Sequence, residues 1–352
     1  MKKICLNNRT IGRRCPAFII AEAGVNHDGS LEQAMRLVEI AAQAHADAVK
    51  FQSFTAERLV TASAPKAAYQ KTAGTSHESQ LDMLRRLELS IEDHCKLAQH
   101  CRQNGIEFLS TPFDEIWTDV LDELGVAAFK IGSGELTNLP FLSHVAAKGK
   151  PMIISTGMAG LEEVEQAVTT VRAAGASEIV LLQCTSAYPA SAETVNMNAM
   201  QTLRRRFGVW TGLSDHTNGI EIAIGAAALG ASVIEKHFTL DRSLAGPDHR
   251  MSLEPLELAA MIYAIRNVER AMGDGKKTPC ANETETAQVA RRSLVAARDI
   301  GIGDIIDAAA VAIQRPGTGL PACKMSAIIG LRAKASIPKG MLLAMEMLEV
   351  SG

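Results

Sequence analysis

Between residues 18 and 272 the chain repeats one pattern eight times: a short apolar run, a polar or glycine-bearing break, then a stretch of helical periodicity. The runs begin at Phe18, Ala48, Glu107, Ala128, Met152, Ile179, Val209 and Ser232, and the helical stretches cover 31–44, 91–103, 116–124, 139–147, 161–174, 197–207, 220–229 and 255–272. Runs such as Ile179-Val180-Leu181-Leu182 are apolar at every position, as expected of strands buried on both faces, and a helix follows each, which imposes parallel pairing. The pattern predicts an α/β fold, a (β/α)8 TIM barrel, with an open doubly wound sheet as the alternative. A polar excursion at 61–78 interrupts the rhythm, and insertions of that length beside a barrel are usually functional or mobile.

After Met272 the character changes. Turn residues and charge mark 274–290 as a linker, and from Arg291 short apolar pieces alternate with Gly, Asp and Pro turns. The expected organisation is a barrel domain over 1–273, a linker over 274–290 and a small β-rich domain over 291–352. A module of that size is near the lower limit for independent folding and is expected to lean on a partner surface. With a net charge of -3 and 4% aromatic residues, the chain has neither the basic footprint nor the stacking platform of a nucleic-acid or membrane-surface binder. The apolar run at 17–21 is too short for an export signal or a membrane span. Seven cysteines without a C-x-x-C pair fit free thiols in a reducing cytoplasm.

In a barrel, chemistry sits at the C-terminal strand ends. Those ends supply Glu22; Lys50 and Gln52; Ser110 and Thr111; Lys130, Ser133 and Glu135; Ser155; Ser186 and Tyr188; Ser214, Asp215 and His216; and Glu235, Lys236 and His237. A lysine inside an otherwise apolar strand needs an anion, so Lys50 and Lys130 suit a ligand carrying phosphate and carboxylate. Simple pairing of each lysine with Glu22 or Glu135 is the bland alternative, and a Schiff-base aldolase the chemical one. His216 and His237 end consecutive strands, where two neutral imidazoles can share a divalent ion such as Mn2+, although spacing does not exclude Zn2+. Glu235 either orients that site or pairs with Lys236. The other histidines are taken as ordinary core or surface residues.

Seven ordered motifs carry a resemblance: Ala21-Glu22-Ala23-Gly24-Val25-Asn26-His27-Asp28-Gly29, Ala48-Val49-Lys50-Phe51-Gln52, Ser110-Thr111-Pro112-Phe113, Phe129-Lys130-Ile131-Gly132-Ser133-Gly134-Glu135, Ile154-Ser155-Thr156-Gly157-Met158, Gly212-Leu213-Ser214-Asp215-His216 and Gly246-Pro247-Asp248-His249. Together they resemble the sialic acid synthase (N-acetylneuraminate synthase) family, and 291–348 looks like its antifreeze-like (SAF) module. The resemblance implies condensation of phosphoenolpyruvate with open-chain N-acetylmannosamine and water, giving N-acetylneuraminate and phosphate. A legionaminic-type synthase using a 2,4-diacetamido-2,4,6-trideoxyhexose is the near alternative. It further implies Mn2+, with Mg2+ or Co2+ as alternatives, and a cytoplasmic homodimer whose SAF domain covers the partner's active site.

By resemblance, Lys50, Thr111, Lys130, Ser133, Ser155 and Ser214 match phosphoenolpyruvate-binding positions, and His216 and His237 match metal ligands. Glu22, Gln52, Tyr188 and Asp248 match positions near the acceptor, and Arg315 matches an arginine lent by the neighbouring subunit. Chemically, Lys50 and Lys130 offset substrate charge, and Glu135, or Glu22 as second choice, activates the attacking water. Ser186 stands where some sialic acid synthases place an asparagine, which leaves the acceptor open, and His45 replaces a usual glycine in a turn. A non-catalytic sugar- or ice-binding protein, suggested by the tail alone, is the remaining rival.

Overall fold

A two-residue turn at Asn7 and Asn8, with Asn7 in the left-handed region at φ 49°, folds the first two strands, β1 (Ile4–Leu6) and β2 (Arg9–Ile11), into an antiparallel hairpin. Eight parallel strands follow: β3 (Phe18–Gly24), β4 (Ala48–Ser53), β5 (Glu107–Pro112), β6 (Phe129–Ile131), β7 (Met152–Ser155), β8 (Ile179–Cys184), β9 (Trp210–Asp215) and β10 (Val233–His237). They pair in the order β5-β4-β3-β10-β9-β8-β7-β6, a nearly closed barrel in which β5 and β6 lie side by side without a ladder. The computed structural model describes residues 1–67, 70 and 78–350; of the excursion at 61–78, residues 68, 69 and 71–77 lie outside the described residues.

Helices begin where the sequence offers caps. Ser30 accepts from the Gln33 amide, Asp114 accepts from Trp117, and Ser90 with Asp93 forms a capping box, so orphan N–H groups at each start are satisfied. Between strands and helices lies the larger core, built from outward strand residues such as Val49, Phe51, Phe129 and Ile154 against helix residues such as Leu37, Leu97 and Val168. A second core fills the barrel from its N-terminal end: Phe18, Ile20, Ala48, Leu109, Ile153, Val180, Leu182 and Val233, closed below by Ile4, Leu6 and Ile11 of the hairpin. Truncating Leu109 or Leu182 to Ala there is expected to cost about 2–5 kcal/mol.

This inner core positions the site. Strand side chains alternate between faces, so the residue two beyond each inner apolar residue also points inward, one level higher. Ile20 leads to Glu22, Ala48 to Lys50, Leu109 to Thr111, Ala128 to Lys130, Ile153 to Ser155, Leu182 to Cys184 and Val233 to Glu235. Apolar at one level and polar at the next, the barrel has a sealed floor and a chemical mouth.

The chain divides into two units, Met1–Gly273 and Asp274–Gly352. The second contains two antiparallel strand pairs, β11 (Ser293–Ala296) with β12 (Val311–Gln314) and β13 (Arg332–Ala333) with β14 (Leu348–Glu349), around its own core of Leu294, Ile300, Ile306, Ile328, Ile337 and Leu343. The stretch read as linker, 274–290, is not wholly irregular: it ends in a helix, Glu283–Ala290, with no buried residue. Nothing in that segment forms an apolar stripe, which is why periodicity did not reveal it.

Candidate active site

The mouth opens into a cavity of about 650 Å³ lined by residues from every barrel strand end, including Glu22, Lys50, Thr111, Lys130, Ser155, Ser214, Glu235 and the two histidines. The Lys50 ammonium pairs with Glu22 at 2.7 Å and donates to Thr111 at 2.8 Å. Across the cavity the Lys130 ammonium donates to Ser155 at 2.9 Å and lies 3.4 Å from Glu235, which also accepts from the Ser214 hydroxyl at 3.0 Å. All four charged side chains are almost fully buried, and register sets His237, Glu22 and Lys50 level on adjacent strands. Buried ion pairs contribute little net stability, so two of them at one mouth point to binding rather than to folding.

Electrostatics separate the two carboxylates. Burial pushes Glu22 up to about 7, with Lys50 opposing and Glu235 reinforcing the rise. Burial acts on Glu235 too, but Lys130, Lys50 and His237 outweigh it and hold that carboxyl at about 2. Burial also lowers Lys130. Near neutral pH Glu22 is therefore part protonated while Glu235 is ionised, which leaves the lysines an excess of positive charge for an anionic ligand.

The ring centroids of His216 and His237 lie 5.5 Å apart, and the Tyr188 ring lies 4.2 Å from His216, tilted by 37°. His216 Nδ1 donates to the Thr185 carbonyl at 2.8 Å, which places the proton there and leaves Nε2 as a lone pair. Burial, then the neighbouring His216 and Lys50, hold His237 well below the ordinary histidine range, so it is neutral; its Nδ1 is buried without a partner, as is Glu235 Oε2. For His216 burial is outweighed by Cys184, whose Sγ lies 3.8 Å away, and by the Thr185 carbonyl, so its net displacement is upward. Two imidazoles with available lone pairs fit a shared divalent ion. Among the described residues no group of three His, Cys, Asp or Glu that could hold a metal ion converges.

The structure brings together most of the residues singled out in the sequence. Gln52, Ser133, Ser186 and Tyr188 line the same cavity, and Ser133 Oγ accepts from the Gly157 amide at 3.0 Å. A side chain at 157 would displace its neighbours, since a Cβ there would lie 2.3 Å from Ser186 Oγ and 2.8 Å from Ser133 Oγ. Asp248 is buried near His216, with its carboxyl pushed up to about 6 by burial, but is not part of the cavity wall. Arg315 is exposed in the second unit, its Nε donating to the Ala290 carbonyl at 3.0 Å.

Several expectations need correction. Glu135 does not line the cavity: it sits in the 3-10 turn Ser133–Glu135 past the end of β6, where its carboxylate accepts from Asn138 at 2.8 Å. Lys236 is not the partner of Glu235; alternation turns it to the opposite face, where it pairs with Asp215 at 2.8 Å. Ser110 likewise faces outward, 2.6 Å from Ser53 Oγ, which in turn meets His94 at 2.8 Å in a closed polar core. Cys184, not singled out in the sequence, lines the cavity, as do Phe113 and Met158. Its inward position two residues past Leu182 was the available signal.

A model of the NeuB family matches residues 37–277, and a SAF domain model matches 291–349. The chain belongs to the NeuB family. Within that family it is similar to the N,N'-diacetyllegionaminic acid synthase of Campylobacter jejuni, 48% identical over 89% of this chain and 94% of that protein. The synthase of the same name from Legionella pneumophila is 46% identical over 96% of both chains. Among solved structures, the N-acetylneuraminic acid synthetase of Leptospira borgpetersenii is 35% identical with a TM-score of 0.71, covering 81% of this chain and 95% of that one. As a NeuB-family member with a C-terminal SAF domain, the chain is a nonulosonic acid synthase. Among the described residues no helix is long and apolar enough to cross a membrane.

Proposed function

We propose that this enzyme condenses phosphoenolpyruvate with a 2,4-diacetamido-2,4,6-trideoxyhexose and water, forming N,N'-diacetyllegionaminic acid and phosphate. The observation that carries the chemistry is the opening of two buried lysines and two neighbouring imidazoles onto one cavity. The acceptor rests on the 46% and 48% identity to synthases of that product, against 35% to the N-acetylneuraminic acid synthetase. N-acetylmannosamine, the first expectation from the sequence, becomes the second reading.

In the proposed mechanism Lys50 and Lys130 hold the phosphate and carboxylate, assisted by the hydroxyls of Thr111, Ser133, Ser155 and Ser214, in a low-dielectric site where their charge acts strongly. Bound at His216 Nε2 and His237, a divalent ion, Mn2+ by preference, would supply Lewis-acid polarisation of the acceptor aldehyde. Carbon 3 of the enol attacks that aldehyde, and water adds at carbon 2 before phosphate leaves. Glu22 takes the water proton in place of Glu135, because it lines the cavity and titrates near neutrality. Glu235 stays ionised and steadies Lys130, while Gln52, Ser186 and Tyr188 surround the acceptor and Asp248 lies beside His216.

The proposed assembly is a cytoplasmic homodimer in which the SAF domain of one chain lends Arg315 to the other's cavity. All seven free thiols fit that reducing compartment. Phosphate release that requires both substrates, with a product mass equal to phosphoenolpyruvate plus diacetamido sugar plus water minus phosphate, is expected. Release of phosphate without a condensed product would contradict the reading, and a product from N-acetylmannosamine alone would restore the second one.

A further inference from the structure

Asp248 is held on both sides by buried polar contacts that its own side chain does not make. Asn26, fully buried in the loop after β3, donates through Nδ2 to the Phe238 carbonyl at 2.8 Å and to Ser252 Oγ at 2.9 Å. The Ser252 hydroxyl passes the restraint on, donating to the Asp248 carbonyl at 2.6 Å. On the other side, the fully buried ring of His249 spans from Asp28 Oδ2, 3.1 Å from Nε2, to Thr239 Oγ1, 2.6 Å from Nδ1. A carboxylate can only accept, so His249 Nε2 donates to Asp28. The loop is packed directly on this pair: a Cβ at Gly246 would lie 2.3 Å from Asp28 Oδ1 and 2.6 Å from His249 Nε2.

We infer that Asn26 and His249 are positioning residues, which lock the loop after β10 onto the loop after β3 and so hold Asp248 in place beside His216, whose ring lines the cavity proposed for the acceptor sugar. The inference deepens the proposed function and rests on it for the identity of the ligand. Its structural half is independent: the Asp248 backbone is tied through Ser252 to Asn26, and its neighbour's ring bridges the same two loops, while among the described residues no hydrogen bond is made to the Asp248 carboxyl. A buried acid held rigidly by everything except its own head is arranged to meet a ligand hydroxyl or amide.

The test uses the full-length enzyme with Ser252→Ala, which removes one hydroxyl, alongside Asn26→Ala and His249→Ala. Each is expected to raise the acceptor KM about tenfold, the equivalent of one lost hydrogen bond, with the phosphoenolpyruvate KM changed less than about twofold. In an Asp248→Ala background the same substitutions should add less than about twofold, because they act through that carboxyl. Amide exchange in 243–251 should quicken about tenfold while the barrel strands keep their protection. Equal loss toward both substrates, an undiminished effect in the Asp248→Ala background, or unchanged exchange overturns the inference. A wild-type enzyme that condenses neither candidate sugar sinks the proposed function instead, and the exchange measurement still decides whether the clamp exists.

Discussion

Replacing Glu22 by Gln should flatten the pH dependence of barrel stability. Glu22 is 2% exposed and its folded value is raised from 4.5 to about 7, so between those limits the native state binds a proton that the unfolded chain has released. Stability from this group is full below about pH 4.5 and is lost as pH rises through 7. At about 1.4 kcal/mol per unit, the loss is on the order of 3 kcal/mol. Glu22→Gln cannot titrate, so its unfolding free energy should fall less than that of the wild type between pH 4.5 and 8.5, by that amount. At an m-value of about 3 kcal/mol/M this is a differential shift of about 1 M in the urea midpoint. Both tryptophans, Trp117 and Trp210, lie in the barrel unit, so their fluorescence reports its unfolding without the SAF domain, and chelator in the buffer keeps cations from the histidines. Parallel pH profiles within about 0.5 kcal/mol, the ordinary scatter of such comparisons, would show Glu22 to be a plain ionised partner of Lys50 and would remove it as the proton-handling group.

His237→Ala should abolish turnover while leaving the circular dichroism spectrum unchanged; undiminished turnover in metal-replete buffer refutes the ligand assignment. Chelation of the wild type should likewise stop turnover, with recovery on Mn2+, whereas a Schiff-base enzyme would ignore chelator and be trapped on Lys50 or Lys130 by borohydride with substrate. Arg315→Ala should raise the acceptor KM more than that of phosphoenolpyruvate. Mixed dimers of Arg315→Ala and Lys50→Ala chains should regain activity, since one of the two composite sites is then intact, and failure to do so argues against a lent arginine.

Strand periodicity reached further than the fold. Buried lysines in apolar strands already implied an anion, and the inward positions of Lys50 and Lys130 follow from alternation once Ala48 and Ala128 are taken as inner residues. The same alternation assigns Lys236 and Ser110 to the outer face, so those two were legible although polarity alone drew them into the mouth. Glu135 was not, because it lies beyond the strand in a 3-10 turn where period 2 no longer applies and where Asn138 claims its carboxylate. The clamp around Asp248 joins residues 26 and 252, with no local pattern to announce it. His45 does keep its turn, at φ 62°, in the left-handed region that usually favours glycine. The hairpin beneath the barrel escaped notice because three-residue strands show too little alternation to register.

The central claim is the acceptor, and one competition measures it. Offered equal concentrations of the 2,4-diacetamido-2,4,6-trideoxyhexose and N-acetylmannosamine with limiting phosphoenolpyruvate and Mn2+, the enzyme yields two products whose ratio in the mass spectrum is the ratio of kcat/KM values. The diacetamido product should dominate by at least about tenfold, corresponding to about 1.4 kcal/mol of transition-state discrimination. Predominance of N-acetylneuraminate, or no condensed product from either sugar, would contradict the account.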